Sequence, residues 1–348
     1  MASKKKLRIG VIGAGGVGRA HMTHLKKYAD VELAAASDVS TACLAQAKQE
    51  HSVARTYEDW REMLKKEELD AVCVCTPNGC HAEHSIGALK AGCHVLVEKP
   101  LAMNAAEGQR MIDAAKKAGK HLIIAFQWRY HAKAQFLRQA VMDGRFGKIM
   151  VMRCSALRRR GIPNWGVFGR KELQGGGPLI DIGVHVMEMA HYVMGNPVPV
   201  AASGQIFRYI GDRQCNVVCM WPNWDHKTYT VEDLAIGQIR FDNGAVMQVE
   251  ASFAAHVKDS WNFTFMGEKG GGDFENLEIR CDEHGYMIDK KPAFVPEYDY
   301  FERKMRAFVD TALYNKPNES DAVQGLMIQK MIDGIYASAE KGREVTIV

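Results

Sequence analysis

Along its first third the chain alternates short apolar or β-branched runs with stretches whose apolar residues recur at helical spacing. The runs are Leu7 to Ile12, Val31 to Ser37, Ala71 to Cys75, His94 to Val97 and Leu122 to Ala125. Between them the spacing predicts helices over Gly16 to Tyr28, Val39 to Glu50, Asp59 to Lys65, His81 to Ala91 and Ala105 to Ala118. Strands separated by helices imply a parallel sheet with right-handed crossovers, a doubly wound α/β domain over residues 1–127. After about Gln127 the pattern changes. A helix over Ala132 to Met142 leads into strands that alternate apolar and polar residues, among them Gln238 to Phe241 and Val246 to Phe253. The turn signals Asp242-Asn243-Gly244 and Lys269-Gly270-Gly271-Gly272 predict antiparallel hairpins, and helices over Tyr298 to Tyr314 and Asp321 to Lys341 close the chain. Residues 128–348 are therefore expected to form one α+β domain.

Composition narrows the class. The 348 residues are 47% hydrophobic and 25% charged, as in a soluble globular protein. No apolar run approaches the ~20 residues of a membrane span, so no membrane role is expected. The basic start before Leu7 leads into a stretch that carries Arg8 and several glycines and has no small-residue cleavage site. It reads as the approach to a first strand and not as a secretion signal, and a cytoplasmic location is expected. Nine cysteines, odd in number and scattered, point to reduced and mostly buried thiols. The net charge of +4 is spread out apart from Lys4 to Lys6 and Arg158 to Arg160, without a base-reading pattern, so no nucleic-acid partner is expected. His21/His24, His81/His84, Cys73/Cys75 and Cys215/Cys219 are suggestive pairs, but none completes a four-ligand spacing, and no metal is expected.

Gly13-Ala14-Gly15-Gly16-Val17-Gly18 fits G-x-G-x-x-G between a predicted strand and a predicted helix. The first glycine permits the tight turn, the second lets backbone approach a pyrophosphate, and the third lets helix and strand pack closely. Phosphate charge then sits on the helix N-terminus. Asp38 ends the second predicted strand 20 residues after Gly18, where a carboxylate accepts hydrogen bonds from ribose hydroxyls and repels a 2′-phosphate. No Arg or Lys follows closely, so a Rossmann domain that binds NAD rather than NADP is expected.

Thr76-Pro77-Asn78-Gly79-Cys80-His81 and Glu98-Lys99-Pro100 each follow a predicted strand, at the edge where doubly wound sheets bind ligands. Lys99 there would project toward a nicotinamide. Each also has a plainer reading, Lys99 as a solvated loop residue and Asn78 as a helix cap. Together with the glycine loop and Gly177-Pro178-Leu179-Ile180-Asp181-Ile182-Gly183-Val184-His185, these segments resemble the glucose–fructose oxidoreductase and inositol dehydrogenase family, Gfo/Idh/MocA, over nearly the whole chain. The resemblance implies a catalytic Lys99, with Asp181 and His185 supplied by the second domain. It also implies cofactor contacts from Thr76, Asn78, His81 and Glu98, often a cis bond before Pro100, and a large open sheet through which such proteins form homodimers or homotetramers.

The spacing of Asp181 and His185 independently puts an acid and an imidazole on one helical face after the glycine-rich entry Gly175 to Gly177. Alcohol oxidation needs a base and a stabiliser of the developing alkoxide. His185 suits the first role, Lys99 the second, and Asp181 would orient the histidine or hold a neighbouring hydroxyl. The run Arg158-Arg159-Arg160-Gly161-Ile162-Pro163-Asn164-Trp165-Gly166 resembles one in family members that oxidise the 3-hydroxyl of glucosides. The indole of Trp165 suits the C–H face of a pyranose, Arg158 is expected at the substrate, and Gln127 is placed to touch ligand. For the arginines a solvated or subunit-interface face is an equal reading. Tyr209 to Tyr229 reads as a rim or lid. The expected substrate is a carbohydrate, and the expected activity is reversible oxidation of a ring hydroxyl, C3 of a glucoside in its sharpest form. Redox-neutral glycoside cleavage through transient C3 oxidation is the alternative, and a non-catalytic NAD sensor a third.

Overall fold

The computed structural model describes residues 6–347; the basic start before Lys6 and the final Val348 lie outside the described residues. The chain runs through β1 (Leu7–Ile12), α1 (Gly16–Leu25), β2 (Val31–Ser37), α2 (Thr41–His51), β3 (Arg55–Tyr57), α3 (Trp60–Lys66), β4 (Ala71–Val74), α4 (His81–Lys90), β5 (His94–Val97), α5 (Ala105–Ala118) and β6 (Leu122–Ile124). There follow α6 (Ala132–Met142), β7 (Ile149–Leu157), α7 (Lys171–Gln174), α8 (Val184–Val193), β8 (Pro199–Phe207), β9 (Leu234–Phe241), β10 (Val246–Ser252), β11 (Ser260–Gly267), β12 (Gly270–Asp273), β13 (Ile279–Glu283) and β14 (Tyr286–Lys290). Then α9 (Tyr300–Tyr314), α10 (Ala322–Lys341) and β15 (Val345–Thr346) end it. Two compact units result: Met1–Gln127 with Asp299–Leu326, and Trp128–Tyr298 with Met327–Val348.

In the first unit six parallel strands lie in the order β3-β2-β1-β4-β5-β6, a doubly wound Rossmann sheet. Side-chain caps start α2, α3 and α5: Ser40 accepts from the N–H of Cys43, Asp59 from that of Arg61, and Asn104 from that of Glu107. β3 has only three residues, none of them buried, and so carries no alternation that the sequence could betray. The segment 299–326, expected in the second domain, packs with the first unit instead. The cause is the apolar stripe Met305, Phe308 and Val309 of α9, at helical spacing, which sinks into the same core as Ile9, Val11 and Leu96.

The second unit is built on nine strands in the order β14-β13-β12-β11-β7-β10-β9-β8-β15. Only β7 and β10 run parallel; every other neighbouring pair is antiparallel. Registered rows alternate between the faces. Ile239, Met247, Met152 and Phe265 lie side by side and buried, while the next row, Gln238, Gln248, Arg153 and Thr264, forms the opposite, polar face. The expected turn over Lys269 to Gly272 is tighter than predicted, because Gly270 to Gly272 belong to β12. A Cβ at Gly271 would come within 2.4 Å of the Phe265 carbonyl oxygen, so these glycines serve close strand approach rather than a turn. All nine cysteines are free thiols, but only Cys73, Cys93 and Cys154 are buried, so the expectation of mostly buried cysteines does not hold.

Candidate active site

At the carboxyl ends of β1 and β4 the chain turns away in opposite directions, and that switch point is where an open α/β sheet takes its ligand. Gly13 leaves β1 with φ +92°, and a Cβ on it would lie 2.6 Å from the carbonyl oxygen of Cys75. At Gly18 a Cβ would lie 1.9 Å from the carbonyl oxygen of Gly13, so α1 packs on β1 at a distance only glycine permits. Gly15 and Gly16, by contrast, face open space, and Val17 is exposed. No side chain caps α1 and its first turn holds no acid, so its leading N–H groups stand ready for an anion. Asp38, just beyond β2, accepts the N–H of Ala14 at 2.7 Å and that of Ser40 at 2.8 Å. Its carboxylate is thereby locked beside the glycine loop. These residues fit a dinucleotide: room for the pyrophosphate, N–H groups to hold it, and an oriented acid for a ribose.

The loops after β4 and β5 are tied to each other. His81 is wholly buried, with one ring nitrogen 2.8 Å from the Pro100 carbonyl oxygen and the other 2.9 Å from that of Thr76. Burial draws its pKa below the usual histidine range. Expected at the cofactor, His81 instead bridges two loops and has no ring nitrogen left for a ligand. Thr76 and Asn78 remain part-exposed, as does Lys99, and the Lys99–Pro100 bond is cis.

Glu98 also differs from expectation, because it turns into the fold rather than toward a ligand. Its Oε1 lies 2.8 Å from His21 Nε2 and 3.2 Å from Lys304 Nζ, while Oε2 accepts the backbone N–H of Lys99 at 3.2 Å. Burial alone would raise the carboxyl's pKa, but Lys304 and His21 outweigh it and hold Glu98 ionised, well below the usual range. His21 is brought down to about 4 by burial and by Lys304. Lys304, on α9, is the counter-ion that lets an acid sit buried next to Lys99. Gln127 follows β6, part-exposed, at the start of a 3₁₀ turn.

In the second unit the glycine-rich entry opens a π-helical turn, Leu179–Gly183, that runs into α8. Such a turn inserts a residue into the α-helical repeat and is a frequent mark of functional sites. From Gly176 to Met194 every residue is buried except Asp181 and His185. The helix is otherwise core, with Arg129 donating to Glu188 at 2.7 Å beneath it, both wholly buried. His185 stands beside Trp261, ring centroids 5.9 Å apart.

Sequence reasoning passed over what holds this helix. Glu232, buried, accepts the N–H groups of Gly177 at 2.9 Å and Leu179 at 3.3 Å and the hydroxyl of Tyr336 at 2.8 Å. A carboxylate at that entry opposes the helix dipole and fixes where Asp181 and His185 begin. Gly177 lets it approach, since a Cβ there would meet the Glu232 backbone oxygen at 2.4 Å, and Gly176 makes room for Tyr336, whose hydroxyl a Cβ would meet at 2.1 Å. Arg158 is a part-buried side chain, not a solvated one: Nη1 donates to the Gly161 carbonyl at 3.0 Å. Its guanidinium lies 5.4 Å from the Trp221 ring centroid. Trp165 is half exposed.

Comparison with known proteins converges on one group. The model of the oxidoreductase family with an NAD-binding Rossmann fold matches residues 7–126, and that of the Gfo/Idh/MocA C-terminal domain matches residues 134–272. D-glucoside 3-dehydrogenase of Escherichia coli strain K12 is 37% identical over 345 residues, 98% of this chain and 97% of that protein. Myo-inositol 2-dehydrogenase of Thermotoga maritima is 30% identical over 348 residues, 98% of each. Among solved structures, levoglucosan dehydrogenase in complex with NADH and levoglucosan superposes with a TM-score of 0.84 at 25% identity, covering 99% of this chain and 100% of that one. The glycine loop with its oriented Asp38, the part-exposed Lys99 and the two outward side chains of a buried helix are thus those of a chain that belongs to the Gfo/Idh/MocA family of NAD-dependent oxidoreductases.

Proposed function

We propose that the protein oxidises a ring hydroxyl of a sugar, glycoside or cyclitol, and specifically the C3 hydroxyl of a glucoside. The observation that carries this reading is the burial pattern of the π-turn and α8, from which only an acid and an imidazole, Asp181 and His185, emerge. The likeness to D-glucoside 3-dehydrogenase supports the substrate class. His185 takes the hydroxyl proton onto its ring. Lys99 donates a hydrogen bond to the same oxygen as negative charge develops on it, and Asp181 orients the histidine or grips the neighbouring hydroxyl. NAD, when bound, supplies the acceptor for the hydride that leaves the carbinol carbon. Gly13, Gly15, Gly16, Val17, Gly18 and Asp38, with Thr76 and Asn78, hold it; Gln127, Arg158 and Trp165 contact the sugar. In the reverse direction His185 returns its proton.

The first unit acts in this reading as the cofactor domain and the second as the substrate domain, whose polar sheet face is the surface for homodimer or homotetramer formation. A cytoplasmic location is part of the same proposal. Among the described residues no helix is long and apolar enough to cross a membrane. The test is turnover of the purified protein with NAD against methyl and aryl glucosides, free hexoses and inositols. NADH appearing one-for-one with a keto product, and lost about 10²- to 10⁴-fold in Lys99→Ala and His185→Ala, is the expected result. Aglycone release without net NADH would make the protein a redox-neutral glycosidase. Intact NAD binding with no turnover would contradict both and favour a sensor.

A further inference from the structure

The chain between β8 and β9, residues 208–233, has no regular secondary structure, yet its base is fixed by a single side chain. Asp233, wholly buried, accepts the N–H groups of Ile210 at 2.7 Å and Gly211 at 2.8 Å, and that of Tyr209 as well. Trp224 donates its indole N–H to the Gly211 carbonyl at 2.8 Å and is itself buried. A segment pinned at Tyr209 to Gly211 and at Trp224 forms a wall.

That wall presents Trp221. Its ring meets Trp165 at 86°, centroids 4.6 Å apart, and both indoles keep surface open to solvent. The guanidinium of Arg158 lies over the Trp221 ring and interacts electrostatically with Asp181. Arg158, Trp221 and Trp165 therefore follow one another in the second unit, with Arg158 inside the electrostatic field of Asp181. Two large indoles left part-exposed at right angles, with a cation beside them, are a surface suited to a flat apolar ligand face with polar edges.

We propose that Trp221 is a specificity-determining residue. With Trp165 it forms an aromatic corner that seats the group attached at the anomeric carbon of the substrate, through the flat apolar face of an aryl aglycone or of a second pyranose ring. The inference rests on the reading of the chain as a glycoside oxidoreductase. If C3 reacts near Asp181, the anomeric carbon is two bonds away around the ring, and its substituent extends across Arg158 toward the corner. A methyl group is too small to reach Trp221.

The test is kcat/KM for methyl glucoside, phenyl glucoside and a glucosyl-glucose disaccharide, measured on the wild type, Trp221→Ala and Trp221→Phe. Expected in Trp221→Ala is a loss of about 10- to 100-fold on phenyl glucoside, the disaccharide or both, carried mainly by KM. Methyl glucoside should stay within about threefold, and Trp221→Phe should recover most of the loss. Whichever larger substrate shows the loss identifies the group that the corner seats. An equal loss on all three substrates, or none on any, overturns the proposal. A wild type that oxidises none of the three refutes the underlying functional reading, and does so before any variant is compared.

Discussion

In the first unit the functional side chains leave the carboxyl ends of parallel strands within a residue or two, whereas in the second they stand on one helix and on long irregular segments. Gly13, Asp38, Thr76 and Lys99 are placed by the strands β1, β2, β4 and β5 themselves, whose register is shared along the sheet. Asp181, His185 and Trp221 have no such frame. Buried carboxylates take its place: Glu232 holds the entry to the helix, and its neighbour Asp233 holds the base of the loop. Strand register makes a site cheap to encode in a short motif. A site built from helix and loop needs captured backbone N–H groups to reach comparable definition.

The sharpest way to break that contrast lies in the first unit, where the Lys99 loop also leans on a buried ion. In Lys304→Met the carboxylate of Glu98 loses its cation inside the fold, which should cost about 3–5 kcal/mol of stability, read by denaturant unfolding. NAD affinity should fall with it. Unchanged stability would show that strand geometry alone suffices there.

A second effect belongs to the second unit. His191, on α8, is held at about 4 by burial, against an ordinary value of 6.5. Between those values the unfolded chain binds a proton that the folded chain refuses, so this contribution is complete above pH 6.5 and is lost as pH falls toward 4. The gap is worth about 3 kcal/mol at most. His191→Gln should flatten the fall in melting temperature over that window; an unaltered slope would place the acid sensitivity elsewhere. Smallest is Glu232→Ala, expected to cost about 1–3 kcal/mol by leaving buried donors unmet. It should slow turnover while NAD affinity, a property of the first unit, stays as it was. A matching loss of NAD affinity would undo the distinction between the units.

The same contrast explains what the sequence made legible. Alternating strands and helices, the glycine loop and Asp38 are local patterns, and they were readable as such. The placement of α9 was not, because the stripe of Met305, Phe308 and Val309 tells which face is buried but not against which sheet. His81 and Glu98 sit inside ligand-edge motifs, and only burial shows that their polar atoms point inward. Gly270 to Gly272 look like a turn until the approach of Phe265 and Arg280 is seen. Glu232 and Asp233 lie immediately before a strand with nothing local to mark them; their partners, Gly177, Tyr336 and Ile210, are distant in the chain. Spacing in sequence suggests Asp181 and His185 as a pair, but gives no sign of the π-turn that carries Asp181.

The proposed oxidation at C3 of a glucoside by NAD is tested most directly by following the hydrogen itself. Methyl glucoside deuterated at C3 is incubated with the enzyme and NAD, and product and cofactor are read by mass spectrometry. Deuterium carried to the nicotinamide in NADH formed one-for-one with a 3-keto product is the predicted result. NADH without deuterium, or label retained on the sugar at C3, would contradict it.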